Sequence, residues 1–236
     1  MPNFLLNLFF PQRCLGCGRW GSYLCPDCLN FIRLIDEPVC PLCQRPSPAG
    51  LTHPSCRQSW GLAGLTSIFA YQGIVKQAII KLKYRFVTDL AETILELFLS
   101  FCGEDRGLTK FVSQEGVYLV PIPLHWQRHN WRGFNQAELL GQMIADGLGI
   151  GFIPDLLMRH KKTKPQSKLD KETRAKNIQG AFAINKKTLK LSNSKTLKLL
   201  LFDDVWTSGA TLKEAGQVLK RNGVKQVWGL TLARKE

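Results

Sequence analysis

From Thr66 onward the chain alternates short apolar runs with amphipathic stretches. Thr66–Tyr71 reads as a strand, Ile74–Lys83 and Asp89–Cys102 as helices, and Val117–Ile122 as a strand that ends in prolines. Asn135–Leu148 is a further helix. Short strands are expected near Leu156–Arg159 and Ala181–Ile184, on either side of a long basic loop. Strand Leu197–Phe202, helix Ala210–Asn222 and strand Val224–Leu232 complete the pattern, which predicts an α/β fold. The runs Leu199-Leu200-Leu201-Phe202 and Val117-Tyr118-Leu119-Val120 are apolar throughout rather than alternating, as strands covered on both faces of a parallel sheet require. In such sheets ligands bind beyond the carboxyl ends of the strands. Thr188-Leu189-Lys190-Leu191 echoes Thr196-Leu197-Lys198-Leu199, which reads as a hairpin or insertion rather than a repeat.

The residues before Trp60 follow a different rule. Seven of the eight cysteines lie between Cys14 and Cys56, so the chain divides into a cysteine-rich segment, 1–60, and the α/β body, 61–236. Cys14-Leu-Gly-Cys17 and Cys25-Pro-Asp-Cys28 are two tight knuckles whose four thiolates suit tetrahedral zinc. Cys40-Pro-Leu-Cys43 is a third, and its partner His53-Pro-Ser-Cys56 has histidine in first place, giving a Cys₃His set. Spacing alone does not fix which knuckles share an ion. Four protein ligands leave no open position, so both zinc ions are expected to be structural, holding a segment too small to fold on its own core. Cys102, in an apolar run, reads as core.

No stretch approaches the ~18 apolar residues of a spanning helix, and Met1–Phe10 lacks the basic start and cleavage site of a signal peptide. A cytoplasmic protein is expected, and in that reducing compartment paired CxxC motifs bind metal rather than form disulfides. The net charge of +14 calls for a polyanionic partner: nucleic acid, a membrane surface or a phosphorylated substrate. Much of the charge lies in Arg159–Lys176, where eight Lys/Arg face two acids.

The segment with the most chemistry runs from Leu199 to Leu212. Two carboxylates, Asp203 and Asp204, come at a strand's end and are followed by Thr207-Ser208-Gly209-Ala210-Thr211, a hydroxyl- and glycine-containing turn that opens a helix. Free N–H groups and the helix dipole at such a turn favour a phosphate, and the carboxylates, a few residues upstream, could meet ribose hydroxyls.

This segment resembles the phosphoribosyl diphosphate (PRPP) motif of type I phosphoribosyltransferases, and the whole chain resembles the ComF/GntX family. Lys81-Leu82-Lys83-Tyr84, Val120-Pro121-Ile122-Pro123, Arg132-Gly133-Phe134-Asn135-Gln136, and Gln166 with Arg174 and Asn177 carry the likeness between the cysteine-rich front and the terminal motif. His53 stands where many members have cysteine, Ser208 where threonine is usual, and Phe202 and Trp206 are bulkier than the commoner residues. The resemblance implies a double zinc ribbon followed by a phosphoribosyltransferase-like domain. Asp203 and Asp204 would be the catalytic pair, bound to the ribose hydroxyls, and Thr207 to Thr211 would hold the 5′-phosphate. Mg²⁺ would bridge pyrophosphate and ribose, and Arg128 and Arg132 would be anion contacts in the loop after Val117–Ile122. Arg159–Lys176 would be the loop that closes over the site.

Three functions follow as expectations: phosphoribosyl transfer to an acceptor the sequence does not identify, a role in natural competence, and PRPP sensing without turnover. The competence role implies handling of incoming single-stranded DNA and contact with other competence proteins. Trp126, Trp131 and Phe134 among basic residues suit base stacking along a DNA backbone.

Overall fold

The computed structural model describes residues 12–84, 88–127, 130, 133–161, 171–191 and 197–235. Five strands build one parallel sheet: β1 (Gly64–Ala70), β2 (Val117–Pro121), β3 (Gly151–Phe152), β6 (Lys198–Trp206) and β7 (Gln226–Arg234), in the order β1-β7-β6-β2-β3. β4 (Leu157–Arg159) and β5 (Phe182–Ile184) pair antiparallel in a small separate sheet, so the two short strands expected around the basic loop exist but lie outside the main sheet.

The continuous apolar runs do cross a doubly covered layer. Leu199, Leu200, Leu201 and Phe202 are fully buried, but into different cores. Leu200 and Phe202 pack with α5 (Gln136–Leu148) through Leu140 and Ile144. Leu199 and Leu201 pack with α8 (Ala210–Arg221) through Leu212, Ala215 and Leu219. Each such side chain contributes about 1.5–3 kcal/mol of burial, so a polar residue at any of the four would weaken the sheet's centre.

The two covering helices explain where a cleft opens. β2 leads through α5 to β3 on one side, whereas β6 leads through α8 to β7 on the other. Right-handed crossovers running in opposite directions put their helices on opposite faces, and the chain parts between the carboxyl ends of β2 and β6.

Elsewhere α2 (Gly73–Tyr84) and α3 (Thr88–Cys102) contribute Ile79, Leu82, Leu90 and Phe98 to the core shared with α5, and Cys102 is buried among them. The sequence pattern does not announce α4 (Arg106–Val112), α6 (Lys171–Ile178) or α7 (Lys186–Leu191). α4 is two short turns under one cap: the Asp105 carboxylate accepts from the Leu108 N–H at 2.7 Å. α7 takes up the first half of the Thr-Leu-Lys-Leu echo and the second half enters β6, so the echo is no hairpin.

The cysteine-rich segment lies along β1. Leu34 bridges antiparallel to Phe69, and Leu51 to Gly64, one at each end of the strand. The Ile35 N–H donates to Ile68 O at 2.8 Å, and the Ala70 N–H to Arg33 O at 2.9 Å. Gly50, at φ 65°, approaches so closely that a Cβ there would sit 2.1 Å from Leu65 O. A short α-helix, α1 (Pro26–Leu29), carries Cys28 of the first cysteine cluster. That cluster rests on α2, with Ile74 against Cys14, Cys25 and Cys28.

Candidate functional site

β6 is longer than its apolar run. Its pairing with β2 stops at Phe202, while pairing with β7 continues to Trp206, so Asp203 and Asp204 belong to the last pleats of the strand rather than to the loop after it. Past Phe202 the β2 side of β6 no longer pairs, at the topological switch point of the sheet, and the two partly buried aspartates follow there. The Asp203 carboxylate accepts from the Asp204 N–H at 2.9 Å, which sets the side chain's direction.

Thr207, Ser208 and Gly209 then turn the chain into α8. Gly209 is the N-cap in the left-handed region, at φ 73°, with no side chain capping the helix. A Cβ there would lie 2.2 Å from the Trp206 indole, which is itself buried beneath the turn. The bulk of Trp206 thus fills the space under a left-handed backbone that favours glycine. Ser208 is buried, and its hydroxyl accepts weakly from the Ala210 N–H at 3.4 Å. The structure therefore brings Asp203, Asp204, Thr207, Ser208, Gly209, Ala210 and Thr211 together as one strand–turn–helix unit.

The segment between β2 and α5 is anchored by residues whose task the sequence does not reveal. Asn135, buried, donates to Ile122 O at 3.2 Å and caps α5 by accepting from the Ala137 N–H. Gln136, also buried, donates to Leu82 O at 3.1 Å. These two amides tie Leu82 of α2 and Ile122 after β2 to the start of α5. An Asn-Gln pair just before an apolar helix is the signal that could have found them. Trp126 is exposed and helical, next to a buried His125, and Phe134 is partly buried. Arg128, Trp131 and Arg132 lie outside the described residues, as do Lys162, Lys164 and Gln166 of the basic stretch. Arg159 is on β4, and Arg174, Lys176 and Asn177 are on α6.

The metal candidates form two separate groups: Cys14, Cys17, Cys25 and Cys28, and Cys40, Cys43, His53 and Cys56. Within each, the ligand atoms all lie within 4.8 Å of one another. The knuckles pair as neighbours in sequence and do not cross over. All eight cysteines are free thiols. The 3.7 Å between the sulfurs of Cys17 and Cys25 is close to the edge, about 3.8 Å, of a tetrahedron with Zn–S bonds of about 2.3 Å.

Both donor sets fit zinc. Burial alone would push the Cys14 thiol up, but hydrogen bonds from the backbone N–H groups of Cys17, Cys25 and Gly16 bring it down to about 6. Burial and hydrogen bonds with Cys14, Cys25 and Cys17 push Cys28 up to about 12. Crowded sulfurs resist ionising together, and a divalent cation removes that conflict. In the second group His53 Nε2 stands 3.0 Å from Pro46 O. A carbonyl only accepts, so that nitrogen carries the proton and Nδ1, 3.4 Å from Cys43 Sγ, presents its lone pair to the cluster. Histidine in a cysteine's place is thereby accommodated. Metal analysis of the purified full chain should find two zinc ions, and Cys14→Ser should lose one of them; a single ion in the unmodified protein would remove the second site.

The parallel sheet flanked by helices and the two cysteine-containing clusters define an α/β protein with an N-terminal zinc-binding region. Residues 5–57 match the family model of the double zinc ribbon domain. The chain is 30% identical over 227 residues to the DNA utilization protein YhgH of Salmonella typhimurium, covering 92% of each. It is 35% identical over 117 residues to competence protein F of Haemophilus influenzae, 49% of this chain and 50% of that one. With competence protein ComFC of Bacillus subtilis it shares 26% identity over 221 residues, 89% of this chain and 84% of the other. The chain belongs to the ComF/GntX family. Among the described residues no helix is long and apolar enough to cross a membrane.

Proposed function

We propose that this protein binds PRPP with Mg²⁺ at the Asp203–Thr211 unit and acts in the cytoplasm in natural competence, handling incoming single-stranded DNA together with other competence proteins. The observation that carries the reading is the overhang of β6. Two carboxylates stand past the end of β2 at a topological switch point, and a left-handed glycine turn follows directly into a helix. The relatives' names, DNA utilization and competence proteins, supply the biological setting.

In this reading the chain's groups divide the ligand among them. The N–H groups of Ser208 to Thr211 and the Thr207 and Thr211 hydroxyls hold the 5′-phosphate at the positive end of α8. Asp203 and Asp204 accept from the ribose hydroxyls and offer the hard oxygen donors that suit magnesium. Mg²⁺ would supply charge neutralisation of the pyrophosphate. Arg128 and Arg132 are the proposed anion contacts on the far side, and Arg159–Lys176 the segment that closes. Where an acceptor is present, the same carboxylates would stabilise positive charge at C1′ as pyrophosphate leaves, which makes the protein a pentosyl transferase. Residues 1–60 serve as the structural zinc domain beside a transferase-like domain, 61–236.

Single-stranded DNA should bind with affinity that falls steeply as salt rises, because lysines on the basic stretch displace counterions from phosphates. Lys161 is exposed there. Reversing Lys161, Lys162 and Lys164 to Glu should weaken binding and lower the salt slope by about one for each phosphate no longer neutralised. A slope unchanged by the triple reversal moves the DNA surface elsewhere, and no binding at low salt discards it. A calorimetric PRPP titration with and without Mg²⁺ tests the ligand half, and pyrophosphate release in the presence of nucleobases or DNA separates an enzyme from a sensor.

A further inference from the structure

The two zinc knuckles that open each cluster are built alike, with one difference. In the first, the Gly18 N–H donates to Cys14 O at 2.9 Å and the Cys14 N–H to Arg19 O at 2.8 Å. In the second, the Gln44 N–H donates to Cys40 O and the Cys40 N–H to Arg45 O, both at 2.9 Å. The residue after the second cysteine is left-handed in both: Gly18 at φ 77° and Gln44 at φ 62°. Glycine takes this conformation freely, whereas glutamine is strained in it. A strained residue that persists in a site where glycine would fit asks for a compensating role.

The side chain supplies one. Gln44 Nε2 donates to Ser208 O at 3.2 Å, across 164 positions of sequence, and so reaches the middle of the Thr207–Thr211 turn. A second strut runs beside it: Lys213 Nζ, from the first turn of α8, donates to Leu42 O at 3.4 Å and lies 5.6 Å from the Trp206 ring. The knuckle backbone is held by Cys40 and Cys43, members of the second zinc set, so the metal fixes the base from which Gln44 reaches out. By occupying the Ser208 carbonyl from outside, the amide leaves the peptide plane with its other edge, the Gly209 N–H, directed away from the ribbon.

We infer that Gln44 is a positioning residue for the phosphate-binding turn: it locks the Ser208–Gly209 peptide so that the turn's N–H groups converge on a sugar phosphate. The inference rests on reading that turn as the phosphate cradle. It also gives the second zinc cluster a part in ligand affinity, through one side chain, without the metal touching the ligand.

The test uses the full zinc-loaded chain and two variants. Gln44→Gly keeps the left-handed backbone, relieves its strain and removes the amide. Gln44→Lys keeps the strain and restores a donor. Hydrogen exchange at residues 208–211 reads the turn directly, and calorimetry with ribose 5-phosphate reads the ligand. Gln44→Gly should retain two zinc ions and an undiminished melting temperature. Its turn amides should exchange faster, and ribose 5-phosphate should bind about threefold to tenfold more weakly, the loss of one neutral hydrogen bond. Gln44→Lys should recover both. Turn exchange that is the same in Gln44→Gly and the unmodified protein overturns the positioning role, whatever the ligand does. Faster exchange in Gln44→Gly, with no ribose 5-phosphate bound by the unmodified protein, keeps the role and overturns the phosphate reading instead.

Discussion

A chain carrying Asp203→Asn together with Asp204→Asn is expected to bind no PRPP that calorimetry detects in the presence of Mg²⁺, while melting close to the unmodified protein. The two halves of that expectation have separate causes. The strand is held by Leu199 to Phe202, fully buried on its two faces, and by register with β7 through Trp206; neither depends on a carboxylate. Asn keeps the shape of Asp, and its amide oxygen still accepts from the next N–H, as Asp203 does now. The variant loses charge and acceptor capacity toward ribose hydroxyls and metal. Hydrogen bonds to charged groups contribute about 1.5–3 kcal/mol each, a tenfold to hundredfold change in affinity apiece, so the pair together removes several orders of magnitude. Single variants should fall between. Unaltered affinity in the double variant would reduce the motif to an acid-rich strand end ahead of an ordinary helix.

Gly209→Val should be the most damaging single change near the cleft, and it acts on the fold first. A β-branched residue at φ 73° is strained by about 1–3 kcal/mol, and its Cβ would meet the Trp206 indole at 2.2 Å, adding an overpacking cost of about 1–3 kcal/mol. The Trp206 ring cannot swing into solvent without opening the core formed with Leu212 and Ala215. Urea denaturation should register a destabilisation of about 2–6 kcal/mol, the sum of those two costs. Gly209→Ala with Trp206→Leu separates the two causes: making room should return the steric part of the Gly209→Ala loss and leave the backbone part. Gly209→Val as stable as the unmodified chain would mean that the turn has another conformation open to it.

The four long strands of the sheet, the order of the long elements along the chain and both zinc clusters are legible in the sequence because each has a local signature, whereas the two-residue β3 has none. Four apolar residues in a row, a knuckle of two cysteines and two carboxylates before a glycine turn need no distant partner to be seen. What escapes depends on partners. α4 rests on one Asp105 cap, and α6 and α7 lie in lysine-rich stretches with little apolar periodicity. β4 and β5 have the composition of ordinary short strands, and only their pairing with each other, across more than twenty residues, keeps them out of the main sheet. Asn135 and Gln136 carry a family signature in the sequence, while their buried amides bind Ile122 and Leu82 carbonyls that only the folded chain brings near. Nothing in the sequence marks Gln44, since its partner lies 164 positions away. Arg128 and Arg132 lie outside the described residues and stay proposals on sequence grounds.

The bridges from Leu34 and Leu51 to the two ends of β1 bear on how the protein behaves in the test tube. β1 is the outermost strand on its side of the sheet, seven residues long, and almost wholly buried; at the opposite margin β3 is only two residues long. A long apolar outer strand with open N–H and C=O groups is a template for strands of other molecules, and here the cysteine-rich segment is its cover. Stripping the metal loosens that cover, so strong chelators, or oxidation of the thiols during purification, favour self-association through Gly64–Ala70 over a tidy metal-free monomer.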